Sequence, residues 1–330
     1  MNKRLVLLAV FVVLGGLLWA SGSKDPAAKQ IVVGYTVQSM ENDFFVSVVE
    51  GMKAEAKAKG ITLIVSDAAG DASKHVDHIN NFIAQKVDAI IISPVDQTAP
   101  EGVVANAVAA GISVISLNQS IKGSSAYLLL QEYDYGFMGG VIAGNWLNGK
   151  EKDGTINSIL NKNGEIEVGI ISYSPIASLF DRTKGEKEGI TKTYTGKKKV
   201  VFVSEQDAAD SAGGLKVAET AFTANPDISI YVCINDSSAL GVFEAASALS
   251  KKNKDNMCIV GLDGLPQALK YISQDTMFKG TVDIQPVQMG ADALNLALDV
   301  LKTGPDAKVK LPELKMVTMA NIAEYASVIK

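Results

Sequence analysis

An α/β fold of two doubly wound parallel-sheet domains is predicted for this chain by two observations. Strand-like and helix-like segments alternate with little interruption from residue 31 onward, the pattern of a parallel sheet covered by helices on both faces. Roughly ten such units follow one another, more than one sheet usually holds, and about three hundred residues exceed what a single core usually fills. Two domains are the economical solution.

The elements follow in order. Lys3 and Arg4 precede an apolar run from Leu5 to Leu18 and the small-residue end Leu18-Trp19-Ala20. This is the arrangement of an export signal cleaved near Ala20, too short for a comfortable membrane span. No Cys follows it, so a lipid anchor is not expected and the mature protein should be exported, soluble and periplasmic. Ile31 to Val37 is apolar and β-branched, a buried strand. Phe44, Phe45, Val48, Val49, Met52 and Ala56 then recur at helical spacing, and Gly60 stands where a helix C-terminus favours it.

Strands are predicted over 62–67, 88–95, 112–118 and 126–131, with helices over 73–85 and 99–110 between them. The pattern restarts with a helix at 135–147, a strand at 167–173 and a helix at 179–194. Strands at 199–203, 228–234, 257–262 and 278–284 alternate with helices at 211–225, 237–250, 265–275 and 287–303, and a short strand closes the chain at 315–319. The polar segment 153–165 reads as a surface insertion, and Gly149 reads as a helix C-cap.

The stretch from Gln38 to Gly51 organises the rest. It is a strand-to-helix crossover, and ligands of open parallel sheets bind beyond the strands' carboxyl ends, against helix N-termini. Gln38 and Asn42 can donate and accept hydrogen bonds there. Of the doublet Phe44-Phe45, one ring is expected in the core and the other at the ligand. Polar residues recur at strand ends as Asn118-Gln119, Asn235-Asp236 and Asp263-Gly264, so several would converge on one polar cleft. Arg182, at a helix start where charges are usually solvated, opposes the helix dipole, which favours a functional role for its planar guanidinium.

Other classes are disfavoured. Without Lys3 and Arg4 the chain holds 29 basic and 36 acidic residues, a net charge of −7, with no basic run to bind nucleic acid. Gly144 to Lys150 mimics a phosphate-binding loop, but Glu151 replaces its Ser/Thr and the run closes a helix. His75 and His78 lack further ligands for a metal and read as a polar helix face. No cofactor, nucleophile motif or acid–base pair emerges, so no enzyme is expected; an exported sugar-modifying enzyme would need a partner for Asp263. Cys233 and Cys258 should be free thiols. Strands aligned at Asn235 and Asp263 would leave them about 10 Å out of register, at ~3.3 Å per residue.

Four runs in this order carry a resemblance: Asn42-Asp43-Phe44-Phe45, Arg182-Thr183-Lys184-Gly185, Asn235 to Gly241, and Val260 to Gly264. From Gln30 to the C-terminus the chain resembles the periplasmic sugar-binding proteins of the ribose-binding type. The resemblance implies the type I periplasmic binding protein fold, with a three-crossing hinge near 133–134, 283–284 and 313–315. The domains would be 24–133 plus 286–313 and 134–285 plus 314–330. It implies Asn42, Phe44, Phe45, Arg182, Asn235 and Asp263 in the pocket, a small sugar or sugar-like ligand, an ABC transporter permease as partner, and a monomer. A chemoreceptor or sensor kinase is the alternative partner. A repressor of the lactose type is disfavoured, because an export signal stands where a DNA-binding head would be.

The family's Asp-Arg at the fourth strand end is Asn118-Gln119 here, its stacking aromatics are Ala209 and Leu262, and its Gln before Pro286 is Ile284. These departures imply a ligand other than a plain ribose-type pentose, with Leu262 and Ala209 leaving room for a hexose, cyclitol, modified sugar or longer polyol.

Overall fold

The computed structural model describes residues 30–305 and 308–329. The export-signal reading at 1–20 lies outside the described residues. The first half builds a sheet from β1 (Val32–Val37), β2 (Thr62–Asp67), β3 (Ala89–Ile92), β4 (Ser113–Asn118) and β5 (Ala126–Leu129). Its helices are α1 (Asp43–Lys59), α2 (Ala72–Gln85) and α3 (Glu101–Ala109). The second half follows with α4 (Glu132–Lys152), β6 (Ile166–Ser172), α5 (Leu179–Thr193), β7 (Val200–Asp207), α6 (Ser211–Ala224), β8 (Ile230–Cys233), α7 (Asp236–Ser247), β9 (Cys258–Asp263), α8 (Pro266–Ser273) and β10 (Phe278–Asp283). The chain ends with α9 (Pro286–Thr303), β11 (Lys308–Lys310) and β12 (Lys315–Thr318).

The strands sort into two six-stranded sheets, ordered β11-β5-β4-β3-β1-β2 and β12-β10-β9-β8-β6-β7. The central strands β3, β8 and β9 are buried on both faces, which is why they read as unbroken apolar runs. The chain passes between sheets three times: after β5, after β10 and after β11. α9 returns to the first sheet and packs on α1. There a Cβ on Gly51 would lie 1.8 Å from the Val287 carbonyl oxygen and one on Gly290 2.0 Å from that of Val48.

Several sequence expectations need correction. The strand β11 was not foreseen; it extends the first sheet beside β5, and its three residues are too few for a periodic signal. The closing strand β12 runs antiparallel to β10, an edge addition to an otherwise parallel sheet. Gly149 is no C-cap. α4 runs through it to Lys152, and the left-handed turn falls at Gly154. The segment 153–165 is not a plain surface insertion, since its 3₁₀ turn buries Ile156 and Ile159 in the core beneath β6. Nor do His75 and His78 form a polar face. Both Nδ1 atoms reach the Thr36 hydroxyl, at 2.7 and 3.0 Å, and burial pushes His75 down to about 4.

The thiols are free and buried, and β8–β9 pairing sets Cys258 opposite Ile230, three residues from Cys233. At ~3.3 Å per residue that is about 10 Å of offset. It is the register expected from aligning Asn235 with Asp263.

Candidate ligand cavity

The site is assembled where strands end. After β1 the chain runs through Gln38 to Asn42, whose side-chain carbonyl accepts from the Phe44 backbone N–H at 2.9 Å and so caps α1. Asn235 caps α7 in the same way, accepting from Ser238 N–H at 2.8 Å. Two further strand-end residues are in the left-handed region: Asn118 at φ 72° and Asp263 at φ 128°. Such backbone costs on the order of 1–3 kcal/mol unless the surroundings compel it, and it clusters where a side chain must be aimed.

Arg182 is delivered by helix packing. α4 and α5 meet backbone to backbone: a Cβ on Gly136 would lie 2.0 Å from the Arg182 carbonyl oxygen, and one on Gly140 2.1 Å from that of Glu186. Only glycine permits that approach. It sets the first turn of α4 against Arg182. The guanidinium donates through Nε to Glu132 Oε2 at 2.7 Å, and Nη2 contacts the same oxygen at 2.6 Å. Nη1 donates to the Ile234 carbonyl at 2.8 Å, and the plane lies 4.7 Å from the centre of the Tyr135 ring. Arg182 is therefore buried, unlike most charged residues at helix starts. Burial raises the Glu132 carboxyl and the guanidinium pulls it back. Contacts this short are those of an ionised pair.

Tyr135 continues the network, donating to Asp263 Oδ1 at 2.8 Å. Burial, then the nearby Asp236 carboxylate, pushes Asp263 well above the ordinary carboxylate range, with Arg182 opposing. Asp236 is itself raised by burial, although one oxygen accepts from Leu265 N–H at 2.8 Å. Glu186, one turn beyond Arg182, is fully buried and both its carboxyl oxygens lack a hydrogen-bond partner among the described residues. Burial pushes it far up as well.

One cavity of about 520 Å³ of empty space, counting its mouth, collects these residues. The first sheet and its helix supply Gln38, Asn42, Phe44, Phe45, Asn118 and Gln119, and the second supplies Arg182, Asn235 and Asp263. These nine residues, expected at the site from the sequence, thus line the same space, while Asp236 and Gly264, named beside them at strand ends, do not. Both phenylalanines line the cavity and both are buried in the hydrophobic core, so the expected division into one core ring and one ligand ring does not hold. They stand edge to face with centroids 5.0 Å apart, so neither excludes the other. The Ala209 carbonyl accepts from Asn42 Nδ2 at 3.4 Å and from Asn235 Nδ2 at 2.8 Å, tying the two sides together. Leu262 does not face the cavity. Its side chain packs near Gly139, so it leaves no room for a ligand.

The match to known proteins agrees with this geometry. Residues 33–306 match the periplasmic binding protein domain. The chain belongs to the periplasmic binding protein family. The ribose import binding protein of Bacillus subtilis (strain 168) is 31% identical over 300 residues, 91% of each chain. Among solved structures, the binding component of the arabinose ABC transporter from Shewanella sp. ANA-3, bound to α- and β-L-arabinofuranose, is 26% identical. It has a TM-score of 0.76 and covers 90% of this chain and 95% of its own. A solute-binding protein from Bacillus halodurans C-125 with bound myo-inositol is 25% identical, with a TM-score of 0.75 and coverage of 91% and 98%. This periplasmic binding protein is a solute-binding component of the ABC-importer type and not an enzyme.

Sequence reasoning missed Glu132, Tyr135 and the aliphatic lining Leu130, Ile176, Leu179 and Ile234. A signal for the first two existed. Gly136, Gly140 and Gly144 recur every four residues, as do Gly185 and Gly189, which marks two helix faces made for close contact. The lining has no such mark, because an isoleucine at a strand end reads like any other core residue.

Proposed function

We propose that the chain captures a small, neutral, polyhydroxylated ligand between its two lobes and delivers it to an ABC importer permease. The convergence of Gln38, Asn42, Asn118, Gln119, Arg182, Asn235 and Asp263 with a phenylalanine pair on one cavity carries this reading. Amides, a guanidinium and a carboxyl supply the mixed donors and acceptors that hydroxyls need, and flat rings suit the C–H face of a sugar. A hydroxyl left unpaired in the closed cleft costs roughly 1–3 kcal/mol, so polar residues crowd the strand ends.

The lobes are taken as 24–133 plus 286–313 and 134–285 plus 314–330, closing by bending where the chain passes between them. The ligand is not a plain ribose-type pentose. Asn118-Gln119 offers neutral groups where the family has a charge-assisted Asp-Arg pair, and charge-assisted bonds are about twice as strong. The buried charges nearly balance, which disfavours a sugar phosphate. The chain is exported with its signal cleaved near Ala20, and the protein acts as a monomer. Titration calorimetry and a thermal-shift screen across pentoses, hexoses, cyclitols, polyols and sugar phosphates should find a neutral compound with a dissociation constant in the micromolar range or below. Submicromolar ribose, or a sugar phosphate ahead of every neutral compound, would overturn it.

A further inference from the structure

We infer that the ligand of this cavity is a neutral sugar or polyol with an aliphatic edge, a deoxy or methyl-bearing compound with fewer hydroxyls than a hexose. This rests on the sugar-binding reading above and names the class within it. Two independent observations carry it.

The first is the wall. Leu130 and Ile284 stand at the first two passages between sheets, Ile176 on the segment between β6 and α5, and Leu179 at the start of α5. All four line the cavity, and Ile176, Leu179 and Ile284 are buried, at 5%, 7% and 1% exposure. None can donate or accept a hydrogen bond through its side chain. A ligand hydroxyl facing them would lose its water and gain no partner, whereas a methyl or methylene would gain burial.

The second is how much of the polar lining is already committed. The Asn42 and Asn235 side-chain carbonyls cap helices, and both amides donate to the Ala209 carbonyl. Arg182 has given Nε and one hydrogen from each terminal nitrogen to Glu132 and Ile234. Asp263 Oδ1 is taken by Tyr135. Uncommitted groups remain on Asn118, Gln38 and Gln119, on the second amide hydrogens of Asn42 and Asn235 and on the outer N–H groups of Arg182, while the Asp263 carboxyl also accepts from the Asp236 backbone N–H. The Asn118 Oδ1 is buried with no partner among the described residues, a vacant acceptor at the cavity. Each hydroxyl wants both a donor and an acceptor, and the open acceptors, the amide oxygens of Asn118, Gln38 and Gln119, are fewer than the open donors, so these groups serve part of a hexose and not its whole rim.

The test uses matched pairs that differ by one hydroxyl: L-fucose with L-galactose, L-rhamnose with L-mannose, 6-deoxy-D-glucose with D-glucose, and 5-deoxy-D-ribose with D-ribose. Titration calorimetry on the purified protein should find at least one pair in which the deoxy member binds about tenfold tighter or more. Ile176→Thr and Ile284→Gln, which set polar groups into the wall, should each shrink that ratio to threefold or less. Ile176 lies outside helix and strand, so it keeps the test sound if Ile284→Gln fails to fold. Fully hydroxylated sugars or cyclitols binding as tightly as every deoxy partner would overturn this inference and leave the sugar-binding reading intact. A deoxy preference untouched by Ile176→Thr would overturn the role given to this wall. Binding by no sugar, cyclitol or polyol would overturn both readings.

Discussion

The two sides of the cavity solve the same task with different chemistry. The first-sheet side presents neutral amides at strand ends: Gln38, Asn42, Asn118 and Gln119. The second-sheet side presents ionisable groups that are already held, Arg182 paired with Glu132 and the Asp263 carboxyl hydrogen-bonded by Tyr135. Buried charge needs a preassembled partner shell, which here comes from one glycine-lined helix contact. Amides need no such shell. The second side should therefore couple binding to folding stability, while the first should let the two vary separately.

Removing Arg182 should produce the largest effect. Arg182→Ala leaves Glu132 buried without its cation and the Ile234 carbonyl without its donor. We expect a loss of about 3–5 kcal/mol of stability, with binding weakened by about 2–4 kcal/mol more. Chemical denaturation and calorimetry would measure each. Weak binding with unchanged stability would show that the two sides do not differ in the way described.

The helix contact comes next. Gly136→Ala would put a methyl 2.0 Å from the Arg182 carbonyl oxygen, and both atoms belong to packed helices that cannot yield cheaply. Alanine's better helix propensity, about 1 kcal/mol, offsets part of the clash. A net destabilisation of about 1–3 kcal/mol is expected. Weakened binding should accompany it, because α4 carries Glu132 and Tyr135. Stability equal to that of the parent protein would mean the two helices can separate without cost.

Glu186 tests the electrostatics beneath the charged side. Burial raises its carboxyl, so between the ordinary carboxylate range and its folded value the native state holds a proton that the unfolded chain has released. Stability must then fall as pH rises through that window. Asp236 and Asp263 act in the same direction. Glu186→Gln removes one such group. The variant should be about 1–3 kcal/mol more stable than the parent at pH 8, with the gap closing toward pH 4. Thermal unfolding across that range measures it, and a gap that widens toward low pH would refute the assignment.

Much of this architecture was legible in the sequence because it is written in short-range patterns. Asn42 before an amphipathic helix, Asn235 before α7 and the apolar runs of β3 and β9 each carry their signal within a few residues. Distance between segments was what the chain concealed. Nothing near Arg182 in sequence says that Glu132, fifty residues earlier, lies against it, so the ion pair was missed. Leu262 failed for a related reason. Strand alternation turns it away from the face that Asp263 occupies, and the family position suggested a role that the pleat denies.

The smallest effect offers the sharpest discrimination, because on the amide side binding and stability should move apart. Asn118 ends β4 with φ at 72°, a conformation Asn tolerates and Gly adopts freely. Its Oδ1 is buried and has no partner among the described residues, so the unliganded protein gains no hydrogen bond from it. Asn118→Gly relieves the backbone and removes an unsatisfied buried group, while the extra freedom of glycine in the unfolded chain offsets part of the gain. Stability should therefore stay the same or rise by up to about 0.5 kcal/mol. Binding should weaken by about 1–2 kcal/mol, because the vacant acceptor is then absent when ligand arrives. Denaturation and calorimetry on the same preparation separate the two quantities. If both fall together, Asn118 is part of the fold's own support, and the contrast between the two sides of the cavity is lost.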